Sequence, residues 1–474
     1  MSRYSLNTFA LTMLITGAID SIRNLPASAL FGSTLIFFFI FSAIVFLIPA
    51  ALVSAELASN ISEKGGIYHW VKLAFGERVA FLATWLQWIN TIAWFPTILS
   101  FIAGTAAYLI DPSLAQNKYY LVSIILVVFW LLTLISLRGV HISSRFASFC
   151  ALVGFVIPII FILVLLFIWL ITGKPLQIHL NTSTLLPNWQ HTENWAALTA
   201  IMTAFLGMEL ATVHVKEVSN PQKTFPRSLA FSTLIILSTM ILGSLAIAFV
   251  LPYNQINLVN GTIQTFSYFL AAYHLSWLIP ILTILLIIGS IGGITSWVIS
   301  PSKSLLQAAH HGFLPAYLKQ ENKHGIAQNL LLTQAVLVSL VCLAFLCIPS
   351  INGSYWLLTA LSTQLYMFMY VLMFVSALLL RNKIHYQKNA FVIPGKKLGL
   401  SLVCLLGLLG CAITIIVGFL PPDGIDVGNK LVYKLLFSGG LIVMITPVLF
   451  FYWFQKRSSQ ITCAMDDTIP LLSS

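Results

Sequence analysis

The sequence predicts an all-α integral membrane protein with twelve transmembrane helices, and three observations carry that expectation. Of its 474 residues, 59% are hydrophobic and 8% charged, where soluble domains carry roughly 25% charge. That is too little polar side chain to cover a surface facing water on all sides, which excludes a soluble enzyme, a disordered chain and a nucleic-acid binder. Apolar runs of the roughly 20 residues that a helix needs to cross a bilayer core recur twelve times. The basic residues then fall on alternate sides of those runs, the pattern that cytoplasmic loops impose.

Span 1, near residues 5–30, follows Arg3 as a secretory signal would. Asp20 and Arg23 interrupt it, however, and no small-x-small cleavage site follows, so it reads as a retained helix. Spans 2 and 3 (34–58 and 78–110) contain Pro49 and Pro96, which membrane helices tolerate when neighbours satisfy the freed backbone groups. Span 3 also carries Trp85, Trp88 and Trp94, read as packing or vestibule residues. Span 4 (119–137) is unbroken, span 5 (145–172) holds Pro158, and spans 6 and 7 lie near 194–217 and 228–251. Span 8 (275–300) includes Pro280, and spans 9 to 12 fall near 327–348, 354–380, 399–420 and 431–454.

With the N-terminus in the cytoplasm, nineteen of the 24 Lys and Arg fall inside and four (Lys118, Lys174, Lys430 and Lys434) outside. This bias places both termini in the cytoplasm and makes the net charge of +11 topological, not the mark of an acidic partner. No loop is long enough for a second domain. Residues 1–454 are read as one membrane domain and 455–474 as a short tail, in which Asp467 with Leu471 and Leu472 forms a pattern too short to separate a sorting signal from chance. The six cysteines show no paired spacing and read as small packing residues. The ten histidines form no HxxxH or HExxH, so neither a metal site nor a cofactor is expected.

An acid inside a span is costly and therefore marks function. Span 1 places Gly17, Ile19, Asp20, Ser21, Ile22 and Arg23 in an apolar run, and span 6 has a counterpart in Phe205, Gly207 and Glu209. These are the first spans of two five-helix halves, and interrupted helices at matching positions of two halves point to a transport site. A half-helix N-terminus offers unpaired N–H groups to an anion, while the preceding half ends in carbonyls suited to an ammonium. Two readings stay open. Gly17 and Gly207 equally suit close helix packing, and Asp20 and Arg23, three residues apart, equally suit a local ion pair. No cation lies near Glu209 in the sequence until Lys216. His214, in the inner half of span 6, reads as a polar lining residue or a proton relay, and His310 with His311 as a solvated helix end or a pH-sensitive pair.

Several motifs together resemble the amino acid/polyamine/organocation (APC) superfamily of transporters. They are Phe205–Glu209 with Glu217–Pro221 and Phe225–Arg227, Gly65–Trp70 with Phe75-Gly76, and Gly289–Ile294 leading to Gly312–Pro315. Val213–Pro221, Ser296–Lys303, Val392–Gly395 and Phe419–Asp423 are most similar to bacterial glutamate/GABA antiporters. The resemblance implies a LeuT-like fold with inverted repeats at about 5–172 and 194–380 and additional helices over 399–454. It implies a secondary amino acid transporter working by alternating access, an antiporter with proton-dependent activity in a bacterial inner membrane. A proton-coupled symporter or a uniporter is the alternative, and a transporter-like nutrient sensor a more distant one. Its partners would be an amino acid substrate, an exchanged amino acid or amine, protons and the bilayer, with a monomer and a homodimer both open.

Carried over by position, the amides of Ser21, Ile22 and Arg23 would receive the substrate carboxylate, and carbonyls around Ile19, Thr203 and Phe205 its ammonium. Tyr366 and Tyr370 match tyrosines that serve transport in the glutamate/GABA group, and Glu209 the family's helix-6 glutamate, a candidate for proton coupling. Gly293 departs from the acidic residue of that group. Ile294 departs from the aromatic residue of arginine/agmatine exchangers, which disfavours a guanidinium substrate. The Arg23 side chain is then either a partner of Asp20 or a ligand for a substrate side-chain carboxylate.

Overall fold

A computed structural model describes residues 7–61, 66–139, 149–150, 152–187, 192–211, 218, 220–309, 312–383, 390–453 and 455. Ten helices in it are long and apolar enough to cross a membrane: Gly32–Asn60, Glu77–Leu109, Lys118–Leu137, Leu152–Ile171, Lys223–Val250, Ser276–Ile294, Gln328–Cys347, Ile351–Leu380, Lys396–Val417 and Lys430–Trp453. In order they are spans 2 to 5 and 7 to 12. The other two spans are broken. Span 1 comprises Thr8–Ile19, extended Asp20 and Ser21, a 3-10 turn at Ile22–Asn24 and the short helix Leu25–Ala29. Span 6 comprises Ala197–Ala204 and Met208–Ala211. Among the described residues there is no β-strand, only an isolated bridge between Glu321 and Ala327.

The helices overrun their apolar windows at the polar ends. Span 7 starts at Pro221 and span 8 continues to Ala309, because hydropathy reads the hydrocarbon core while the backbone ladder persists into the headgroup region. Two loops read as polar connections contain helices, Ile67–Phe75 between spans 2 and 3 and Gly261–Ala272 between spans 7 and 8.

Proline shapes the spans by withholding an N–H from the carbonyl four residues earlier. In spans 2 and 5 the turns ahead of Pro49 and Pro158 widen into π-helix at Ala43–Leu47 and Leu152–Val156. Glycine brings another helix onto each bulge. A Cβ at Gly410 of span 11 would lie 2.6 Å from the Val45 carbonyl oxygen, and one at Gly154 of span 5 only 2.1 Å from Cα of Gly289 in span 8. Small residues allow this backbone-to-backbone approach where lipid gives helices no hydrophobic reason to associate.

Span 3 is the centre of the bundle, packed along spans 8 and 10, while span 1 packs on span 7. Trp85 donates to the Met444 carbonyl at 2.9 Å and Trp88 to Gln334 at 2.8 Å, so these two indoles tie span 3 to spans 12 and 9. At the C-terminal end of span 2, buried Glu56 pairs with Arg381 of span 10 and accepts the Ile393 N–H at 2.6 Å. Asn60 donates to the Phe391 carbonyl at 3.0 Å. These contacts fasten the segment before span 11 to span 2.

Gly289→Val should force spans 5 and 8 apart, an overpacking cost of about 1–3 kcal/mol. The expected outcome is a lower melting temperature for the purified protein in detergent, with Gly439→Ala, where a Cβ meets nothing within 4 Å, close to wild type.

Candidate functional site

The two interruptions lie side by side. Thr8–Ile19 packs on Met208–Ala211, and Ala197–Ala204 packs on the Ile22–Asn24 turn and on Leu25–Ala29. In span 1, Pro26 has no N–H to continue the ladder, and the Ile22 carbonyl accepts the Leu25 N–H within the 3-10 turn together with the Thr262 hydroxyl at 3.0 Å. Gly261 lets that loop helix approach Pro26, where a Cβ would come within 2.8 Å. In span 6 the chain turns through Gly207 at φ +100°, a conformation that requires glycine. The carbonyls of Ile19 and Phe205 accept no backbone N–H among the described residues. The first amides of the 3-10 turn, those of Ile22 and Arg23, have no partner within it by construction.

Glu209 sits one turn past the span 6 break and is 4% exposed. Its Oε1 accepts from Tyr366 at 2.5 Å and from Gln87 Nε2 at 3.1 Å, and its Oε2 accepts from Tyr370. The Tyr370 hydroxyl also accepts the Gly207 N–H at 3.2 Å, so one phenol holds both the acid and the break. A carboxylate with this donor set is acceptor-only. Adding a proton turns one acceptor into a donor and obliges a tyrosine or the glutamine to reorient.

Asp20 and Arg23 do not pair. The Asp20 Oδ2 accepts from Thr239 of span 7 at 2.5 Å, while its buried Oδ1 has no hydrogen bond among the described residues. Arg23 points the other way, into span 3, where its Nη1 donates to Thr97 at 3.1 Å and its guanidinium lies 4.8 Å from the centre of the Trp94 ring. That indole contacts Trp297 of span 8 at 5.1 Å.

Exposed positions flank the breaks. Phe9, Met13 and Gly17 form an exposed stripe at a spacing of four along span 1, continued by half-exposed Ser21. On span 8, Gly293 is exposed and a Cβ there meets nothing within 4 Å. Gly293 stands nine residues after Ile284, which is 48% exposed. That is about two and a half turns, so Gly293 faces the opposite way, into the bundle.

Of the residues singled out from sequence, Gly17, Ile19, Asp20, Ser21, Ile22, Arg23, Thr203, Phe205, Gly207, Glu209, Tyr366 and Tyr370 belong to the two breaks and the groups that contact them. Thr203 shares a hydrogen bond with Thr363 of span 10, and Phe205 is fully buried edge-on against Phe39. Ile294 is fully buried, which leaves Gly293 as the open member of that pair. His214, His310 and His311 lie outside the described residues. The sequence reading did not single out Gln87, Thr97 and Thr239, which bond to Glu209, Arg23 and Asp20, or Thr363, which bonds to Thr203. Gln87 carried a signal, an amide in the middle of an apolar span; a threonine that back-bonds in its own helix carries none.

The sequence profile of the amino acid permease family matches residues 6–453. An uncharacterized transporter of Legionella pneumophila is 39% identical over 98% of this chain and 99% of its own length. A glutamate/gamma-aminobutyrate antiporter of Lactococcus lactis is 27% identical over 96% of this chain and 92% of its own. Among solved structures, a manganese transporter of Eremococcus coleocola superposes with a TM-score of 0.56 at 14% identity over 96% of this chain and 95% of that one, a likeness of fold alone.

Tyr370→Phe removes a hydrogen bond to a carboxylate and strands the Gly207 amide, whereas Tyr366→Phe removes only the former. Thermal unfolding of the purified variants should show the Tyr370 change costing about 3 kcal/mol and the Tyr366 change about 2.

Proposed function

This chain belongs to the amino acid permease family of the APC superfamily, and from that membership we propose that it is an amino acid exchanger working by alternating access. The paired helix breaks carry the proposal. An α-amino acid presents a carboxylate and an ammonium at fixed separation, matching the amides of Ser21, Ile22 and Arg23 on one side and the carbonyls of Ile19 and Phe205 on the other. Exchange as the mode is supported by the antiporter among the relatives.

The pathway we assign runs along the stripe of Phe9, Met13 and Gly17 to Ser21, with the helix Gly261–Ala272 closing the opposite side over the outer half of span 1. The distribution of Lys and Arg makes the stripe the cytoplasmic route. In this reading residues 1–454 are one transport domain in a bacterial inner membrane with both termini inside, and spans 11 and 12 flank two inverted repeats.

Proton dependence is assigned to Glu209. Its contacts with Gln87 of span 3 and with Tyr366 and Tyr370 of span 10 join span 6 to both neighbours, so a proton taken up there changes how the break is held.

Counterflow in proteoliposomes tests both assignments. An exchanger takes up labelled amino acid only when the lumen holds an amino acid, and uphill uptake driven by a pH gradient alone would instead mark a proton symporter. Glu209→Gln should flatten the pH dependence of whatever exchange remains, and an unchanged pH profile would remove Glu209 from the coupling role.

A further inference from the structure

We infer that Arg23 is the specificity residue of the site and that the substrate it selects is an amino acid with a second carboxylate. The inference rests on the reading of the chain as an amino acid transporter and adds the substrate class.

Arg23 is 5% exposed, in the middle of the membrane span. Of its five N–H donors, one is used on Thr97. Trp94 lies against the guanidinium and restricts its plane without offsetting its charge fully. No carboxylate pairs with it among the described residues. Asp20, the acid nearest in sequence, is turned to Thr239 on span 7, and Glu209 is enclosed by Gln87, Tyr366 and Tyr370. Tyr355 of span 10 is within electrostatic reach, but a neutral phenol supplies no counter-charge. A desolvated cation without a partner is strongly unfavourable, and an anion brought from outside is what relieves it.

The substrate backbone does not supply that anion. A zwitterion brings one carboxylate and one ammonium, and the amides and carbonyls at the two breaks take both. The guanidinium donors remain, in a fork that matches a carboxylate with two parallel bonds. They sit beside the site. Arg23 follows the extended pair Asp20 and Ser21 by two residues, Trp94 connects it to Trp297, and one turn before Trp297 the open position Gly293 leaves room for a side chain. An acid at Gly293 would compete for the guanidinium; glycine leaves it to the ligand.

The test uses purified full-length protein in proteoliposomes, with labelled glutamate and labelled glutamine as probes that differ by one charged group. Wild type should take up glutamate at least tenfold faster than glutamine. Arg23→Gln should lower that ratio at least tenfold, with Arg23→Lys in between. An unchanged ratio in Arg23→Gln, or a wild type that prefers glutamine, overturns the assignment while leaving amino acid exchange standing. A wild type that exchanges no amino acid overturns the transport reading and this assignment with it. Should Arg23→Gln fail to fold, thermal stabilisation of wild type decides: a rise with glutamate and none with glutamine supports the assignment, and the reverse overturns it.

Discussion

Lipid offers a backbone N–H or C=O no partner, so each place where a helix is opened inside the bilayer has to be completed by the rest of the protein. The packing of this chain follows from that requirement. Where the 3-10 turn ahead of Pro26 leaves the Ile22 carbonyl with the Leu25 N–H alone, a threonine from the helix between spans 7 and 8 adds a second donor. Where span 6 turns at Gly207, the freed amide is taken by Tyr370 from span 10. Where Pro49 and Pro158 open π-bulges in spans 2 and 5, glycines let spans 11 and 8 close over them. The helix interruptions and the tertiary contacts are one set of solutions to a single solvation problem. Among the described residues the carbonyls of Ile19 and Phe205, one at each break, accept no backbone N–H.

The same logic extends to charge. Asp20, Arg23 and Glu209 belong to two helix breaks that pack on each other, yet each is answered from a different direction: Asp20 by span 7, Arg23 by span 3, Glu209 by spans 3 and 10 together. Neutralising Arg23 with Asp20 would have been the simplest arrangement and is not the one adopted. Turning the two side chains apart sets each against a threonine, Thr239 donating to Asp20 and Thr97 accepting from Arg23, and a threonine costs little when it also bonds to its own helix.

The membrane architecture was legible in the sequence because hydropathy at a period set by bilayer thickness is a strong signal, and the alternation of Lys and Arg checks it independently. The breaks were legible too, since acids and glycines inside apolar runs have few structural excuses. The helix ends were less so. Pro221 and Ala309 lie in polar sequence where nothing but hydrogen bonding continues the helix. The partners of the acids were hardest to see. Thr239 and Thr97 look like any helix-lining threonine, and their roles arise from how spans 7 and 3 are rotated against span 1, which is a property of the assembly. The Asp20 and Arg23 pairing, equally open on spacing alone, was settled by that same rotation.

Span 8 carries Gly289, Gly292 and Gly293 within five residues, and they are not equivalent. A Cβ at Gly289 or Gly292 would run into Gly154 or Cys150 of span 5, whereas one at Gly293 meets nothing. The helix therefore keeps its packing glycines and its open glycine in adjacent but separate letters. Mutational drift at the open letter can introduce an acid, a hydroxyl or a methyl without disturbing the seam next to it. On such a scaffold a change of cargo can be a single-codon event, and lineages sharing the same frame are free to diverge in diet while their architecture stays still.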